Sequence, residues 1–316
     1  MDIPCFPDFV PLSLALRQDM HPRLSLTPDG VSEYTFADLF LFRRRYHYRV
    51  SWVRDKTFVL SGIQPERGAA FCDPAAPNEG RRFFCTPCAS PGRGVLEELF
   101  RTHDYWKGIS DSVLSPEREH LEDWGLSFTE DRDNFDYLYL RSDLAELSGK
   151  RFHKKKNLVN AFNNAYPRHE MRPLTGENAA DALAVLEAWH EGKSDEGDYA
   201  ASRESLERFD ALAQKGALFY VDGVPAAYCL GETIGRGRIF AIHFEKALER
   251  YKGIYQYVNQ AFAASLPRYI TFINREQDLG DEGLRQAKMT YRPAGFVRKF
   301  VGRRVDKTAA EPGAAL

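Results

Sequence analysis

The stretch ALFYVDGVPAAYCLGE (217–232) constrains this chain more than any other. Two apolar runs rich in aromatic and small side chains flank Asp222-Gly223, a dipeptide that tolerates left-handed backbone at both positions. That pattern reads as two antiparallel strands joined by a two-residue turn. RIFAIHFE (238–245) follows as a third strand. The period then lengthens to that of a helix in RYKGIYQYVNQAFAASLP, where Ile254, Tyr257, Val258, Ala261 and Phe262 share one face. YITFIN is a buried strand, DEGLRQAKMTY a helix and GFVRKFV a last strand. Upstream, Ser148 is placed to cap a helix over about 149–165 that Pro167 stops, and a second helix covers about 177–191. A polar loop (191–200) leads to a third helix near 201–215.

The first half repeats the closing order. RRFFCTP, YWKGIS and FDYLYLR read as strands, with the helices GVLEELFRTH and PEREHLEDWG between them, the latter started by Ser115-Pro116. Strand–helix–strand–helix–strand thus occurs twice, which predicts an α/β (α+β) protein of two similar halves. The reading divides the chain into an N-terminal segment (1–27), a first domain (28–141), a second domain (142–304) and a disordered tail (305–316).

With 316 residues, 43% hydrophobic and 13% aromatic, the chain is long enough for one large domain or two ordinary ones. Its formal net charge of −2 offers no global attraction for nucleic acid, so DNA is not an expected partner. No apolar run approaches the roughly 20 residues of a transmembrane helix, and the acidic, Pro-interrupted N-terminus is a poor signal peptide, so a cytoplasmic location is expected. Five cysteines (Cys5, Cys72, Cys85, Cys88 and Cys229) argue against a disulfide framework. Cys85-Thr86-Pro87-Cys88 has no second pair to complete a zinc site, and no metal is expected.

YTFADLFLFRRRYHYRV (34–50), DYLYLRSDLAELSGKRFHKKKNLVNAF (136–162) and NREQDLGDEGLRQAKMTYRP (274–293) together resemble the family of the phosphatidylglycerol lysyltransferase C-terminal domain, over about residues 30–304. The element order likewise resembles a GNAT (N-acetyltransferase) fold, and two such halves resemble the FemABX-like aminoacyl transferases. The resemblance implies a tandem GNAT-like fold, each half a mixed, mostly antiparallel sheet flanked by helices. It also implies an ancestry of aminoacyl transfer from aminoacyl-tRNA to an amine or hydroxyl.

Two basic stretches stand out against the net charge. Lys150, Arg151, Lys154, Lys155 and Lys156 fall within seven residues, with Arg151 and Lys155 one helical turn apart; they are candidates to hold an anion. Arg285, Lys288, Arg292, Arg298, Lys299, Arg303 and Arg304 form the second, with no acid between 283 and 304. Phosphates of a tRNA acceptor end, a coenzyme or a lipid headgroup suit either. Acetyltransferases of the GNAT fold bind the coenzyme pyrophosphate on Q/R-x-x-G-x-G/A; here the corresponding Arg250-Tyr251-Lys252-Gly253-Ile254-Tyr255 keeps Arg250 and Gly253, but Tyr255 replaces the last small residue. No cofactor is expected, coenzyme A being disfavoured.

Asn274-Arg275-Glu276-Gln277-Asp278 sits directly behind the apolar strand, where the resembled fold holds its acyl group. Glu276 and Asp278 are candidate bases, and Asn274 and Arg275 candidates to orient substrate oxygens. Lys288, the third candidate catalytic residue, lies on the inward face of the next helix with Tyr291, and Asp278 or Glu276 is its expected partner. Arg285, Tyr291 and Arg292 complete the expected substrate-binding set. His153 and His243 lack the spacing that marks nucleophilic catalysis and read as core or surface residues. The leading expectation is aminoacyl transfer. The alternatives are an acyl-coenzyme A dependent N-acyltransferase, or a non-catalytic module that binds RNA or another anion.

Overall fold

A computed structural model describes residues 2–53, 57–65, 80–193 and 197–305. Cys72 and the tail from 306 lie outside the described residues. The fourteen strands are β1 (Val10–Pro11), β2 (Arg49–Val53), β3 (Thr57–Gln64), β4 (Arg81–Cys85), β5 (Tyr105–Ser110), β6 (Leu126–Glu130), β7 (Asp136–Leu140), β8 (His169–Pro173), β9 (Lys215–Val221), β10 (Val224–Ile234), β11 (Ile239–Ala247), β12 (Phe272–Asn274), β13 (Gly295–Val297) and β14 (Lys299–Arg304). They form two seven-stranded sheets, ordered β1-β2-β3-β4-β5-β14-β6 and β13-β7-β12-β11-β10-β9-β8.

The hairpin forms as its sequence predicts. Asp222 (φ 53°) and Gly223 (φ 78°) are both left-handed, which bends β9 back onto β10 with the right-handed twist both strands need. β10 and β11 are buried almost throughout. The helix Ile254–Ser265 then carries the chain over to β12, which pairs with β11 in parallel (Ala241 opposite Asn274).

The two sheets exchange strands. FDYLYLR, expected in the first half, supplies β7, which pairs with β12 and β13 in the second sheet. GFVRKFV is not one strand. It breaks at Arg298, so that β13 stays in the second sheet while β14 enters the first between β5 and β6. The sheets therefore do not part at residue 141. Alternating side chains show which faces of a strand are buried, and they are silent on which sheet edge it joins.

A shared core fills the space between the sheets. Phe36, Phe40, Phe83 and Tyr105 from the first half pack in one cluster with Leu186, Leu218, Tyr228 and Phe244 from the second. Fully burying each such side chain contributes about 1.5–3 kcal/mol. The short helix Phe36–Leu41 is buried at all six positions and is capped by Thr35, whose hydroxyl accepts from the Asp38 backbone N–H at 3.0 Å. Ser148 does not cap the next predicted helix: the chain passes Gly149 (φ 82°) and a 3₁₀ turn at Lys150–Phe152 before the α-helix His153–Ala165 begins. Among the described residues no helix is long and apolar enough to cross a membrane.

A buried polar knot joins the halves. Asp136, at the start of β7, accepts from Ser32 N and Oγ (both 2.9 Å), Gln277 Nε2 (2.7 Å), Asn274 Nδ2 (3.1 Å) and Lys299 Nζ (2.8 Å). Lys299, at the start of β14, also pairs with Glu33. Burial alone would lower the Lys299 ammonium, but the charges of Asp136 and Glu33 hold it above its ordinary value.

Candidate active site

The segment 274–280 turns sharply twice. Glu276 (φ 54°) and Leu279 (φ 53°) both adopt left-handed backbone, which costs a non-glycine residue about 1–3 kcal/mol and is held only where the surroundings demand it. Three successive carbonyls, those of Arg275 (2.7 Å), Glu276 (3.1 Å) and Gln277, converge on Lys288 Nζ. Burial pushes that ammonium down to about 8. The expected Asp278–Lys288 pair is thus not formed: Lys288 binds the loop's backbone instead.

Asp278 takes other partners. Its side chain is fully buried and accepts from Arg285 twice (2.8 and 2.9 Å), Arg132 (3.1 Å), the Tyr137 hydroxyl (2.6 Å) and the Gly280 N–H (2.9 Å). Burial alone would raise this carboxyl, but hydrogen bonds from Arg285 and Tyr137 hold it well below the usual carboxylate range. A carboxylate so fully satisfied is a structural anchor and has no lone pair directed at a substrate.

Arg275 and Glu276 take different partners. Arg275 pairs with Glu245 at 2.8 Å and lies 5.5 Å from the ring of Tyr291, which Lys155 also approaches, at 4.0 Å. Asn274 is fully buried, giving its amide to Gly30 O and Asp136 and accepting from the Glu276 N–H at 2.7 Å. Arg292 is exposed. Of the expected residues at this end, Glu276 alone lines the large cavity between the halves.

That cavity measures about 790 Å³. Its walls come from the helix Phe36–Leu41, the ends of β4, β5 and β11, and the loop 276–284. Carboxylates dominate its charge: Glu33, Asp38, Asp198, Glu276 and Asp281 line it, against Arg45, Lys107 and Lys246. Lys246 is tied to Asp198 by two contacts of 2.7 Å. His243 lies at the wall, with Nδ1 2.7 Å from Glu276 Oε1 and Nε2 3.2 Å from Glu232 Oε1. Burial would lower its pKa, but hydrogen bonds to both carboxylates raise it well above the ordinary value, and the contact with Glu276 fixes that side chain's orientation. Asp38 is 9% exposed, and among the described residues no hydrogen bond reaches its carboxylate. Burial first, then the charge of Glu276, push this carboxyl well above its usual range. Ligand atoms of Asp38, His243 and Glu276 lie within 4.8 Å of one another; with both His243 ring nitrogens facing carboxylates, the oxygens of Asp38 and Glu276 are the atoms left to hold a cation.

Asp38 and His243 were not singled out from sequence. The signal for Asp38 was one acid inside FADLFL, where every neighbour is apolar. His243 gave none, since its partners lie 11 and 33 residues away.

The basic helix is partly committed. Arg151 pairs with Asp143 at 2.7 Å and Lys155 is half-buried on Tyr291, while Lys154 and Lys156 are exposed. At the expected coenzyme turn, Arg250 is exposed and Gly253 (φ 90°) lies against the helix His153–Ala165: a Cβ there would meet the Leu158 carbonyl oxygen at 2.8 Å. Burial pushes the Cys85 thiol up to about 12 and the Cys88 thiol to about 11, away from the thiolate.

Residues 25–302 match the family described as phosphatidylglycerol lysyltransferase, C-terminal. The chain belongs to that family. Among solved structures, a conserved protein of unknown function from Bacteroides thetaiotaomicron is 28% identical, with a TM-score of 0.80 over 94% of this chain and 99% of that one. L-PGS from Bacillus licheniformis superposes with a TM-score of 0.59 at 13% identity, covering 97% of this chain and 95% of that chain. FemX does so with 0.55 at 8% identity, covering 96% and 98%. An uncharacterised protein of Mycoplasmoides gallisepticum is 24% identical over 172 residues, 52% of this chain and 54% of its own length, so the match spans about half of that curated relative. This member of the phosphatidylglycerol lysyltransferase C-terminal family therefore has the tandem GNAT-like fold.

Proposed function

We propose that the protein is an aminoacyltransferase that moves an aminoacyl group from aminoacyl-tRNA to an amine or hydroxyl acceptor within the cavity between its halves. The observation that carries this reading is the Asp38 carboxyl, buried, reached by no hydrogen bond among the described residues, and facing a cavity that Glu33, Asp198, Glu276 and Asp281 also line. An aminoacyl ester brings an α-ammonium, whose charge favours the ionised form of Asp38. Glu276, with one oxygen held by His243, offers the other to the acceptor's proton. The acceptor's lone pair then attacks the ester carbonyl. The new acyl bond forms, the bond between the acyl carbon and the ribose oxygen breaks, and Glu276 returns the proton to that oxygen, which leaves as the ribose hydroxyl. The ester is already activated, so the protein need only orient the reactants and handle one proton. Family membership and fold support the reaction class; the donor and acceptor are this proposal's own.

The test is to supply a labelled aminoacyl-tRNA pool with amine and lipid-hydroxyl acceptors in turn and to follow the label. Enzyme-dependent appearance of the aminoacyl group on an acceptor is the expected result. Transfer from an acyl-coenzyme A, with none from any aminoacyl-tRNA, would overturn the reading.

A further inference from the structure

A second cavity, of about 460 Å³, opens beside the first, and Tyr48 lines both. Its charge is opposite. Arg43, Arg44, Arg49, Arg82 and His47 line it, and among the described residues no carboxylate does. The fold gathers these cations from three places. Arg49 stands opposite Ser61 across β2 and β3, and Arg82 opposite Ile63 across β3 and β4, so both project from one face of the sheet. Arg44 comes from the helical turn Arg43–Tyr46, which His47 ends in left-handed backbone (φ 49°). Arg43 is the one committed member, held by Glu204 through two contacts of 2.9 Å. Arg49 reaches only the Phe9 carbonyl, at 2.6 Å. Arg44, Arg49 and Arg82 are exposed and enter no ion pair with a described carboxylate.

Guanidinium groups so gathered repel one another and match the paired oxygens of a phosphate. We infer that this arginine cleft docks the phosphodiester backbone of the RNA whose aminoacyl end enters the adjoining acidic cavity past Tyr48. The inference rests on the proposed aminoacyl donor. It adds a place for the donor's phosphates apart from the two basic stretches, Lys150–Lys156 and Arg285–Arg304, that the sequence offers. The juxtaposition sorts the two ends of one ligand: anionic backbone to the arginines, ammonium to Asp38. A long anion cannot enter the acidic cavity, and the ammonium gains nothing in the arginine cleft.

The experiment measures binding of a deacylated tRNA pool by fluorescence anisotropy over a series of KCl concentrations. Wild-type protein is compared with Arg44→Glu/Arg82→Glu and with Lys154→Glu/Lys156→Glu, each checked for an unchanged melting temperature. The arginine pair should weaken binding at least roughly tenfold and flatten the salt slope by about 1.5, since each single-strand phosphate contact contributes about 0.7. The lysine pair should leave both nearly unchanged. If the lysine pair instead carries the loss, or the arginine pair binds as wild type does, the dock is elsewhere while the transferase reading stands. If wild type transfers no aminoacyl group and binds no tRNA, the donor reading fails and the dock with it. Retention on phosphatidylglycerol vesicles through Arg44 and Arg82, with no tRNA binding, would reassign the cleft to a lipid phosphate and overturn the inference.

Discussion

Lys299 and Asp136 stand 163 residues apart in the chain and 2.8 Å apart in the fold, with both side chains fully shielded from solvent. Each begins a strand that has crossed into the other half's sheet, so a single ion pair pins both crossings. Removing one member strands a buried charge, which costs about 3–5 kcal/mol. Lys299→Met should lose that much stability in urea titration. A loss under about 1 kcal/mol would show that Ser32, Asn274 and Gln277 satisfy Asp136 unaided.

Asp278 gives an acid-stability prediction. Its folded-state pKa lies below the unfolded value, so ionisation favours folding: the contribution is present above about pH 4 and fades as pH falls through the lower folded value. Asp278→Asn should lower stability at neutral pH and flatten its decline below about pH 4. A variant whose pH–stability curve runs parallel to wild type throughout would contradict the network of Arg285, Arg132 and Tyr137.

Glu276→Gln separates chemistry from architecture. The amide keeps the size of the side chain and an oxygen for His243 to bond, but it cannot take a proton. Stability should change by less than about 1 kcal/mol, and transfer should fall about 100-fold or more, the contribution of a positioned general base. Retained transfer would remove Glu276 from the reaction.

Coenzyme A should bind no tighter than about millimolar by calorimetry, near −4 kcal/mol. The Leu158 carbonyl, lying close against the Gly253 turn, is the physical reason, reinforced by Tyr255 where a small residue is usual. Micromolar binding would favour an acyl-coenzyme A donor.

Local chemistry was legible in the sequence, and the joining of distant segments was not. Asp222-Gly223 declared its turn because both residues permit one backbone shape. The run behind YITFIN announced a site because polar groups crowd the end of a buried strand. The roles within that run could not be read, since the left-handed bends at Glu276 and Leu279 rotate successive side chains away from simple alternation. Lys288 read as a partner for a carboxylate because an inward ammonium demands oxygen, and three backbone carbonyls meet that demand as well as an acid does. Asp38 and His243 became visible only when the chain brought β11, the loop and the N-terminal helix together.

The insertion of β14 between β5 and β6 bears on how the protein is made. A ribosome delivers β5 and β6 long before Lys299–Arg304 emerges. Until then the nascent first sheet has a gap, with two unpaired backbone edges of the kind that recruits foreign strands. The sheet closes only once Lys299–Arg304 has left the ribosome. Truncations ending before Lys299 should therefore aggregate or be captured by chaperones, even though they retain every residue that lines the acidic cavity.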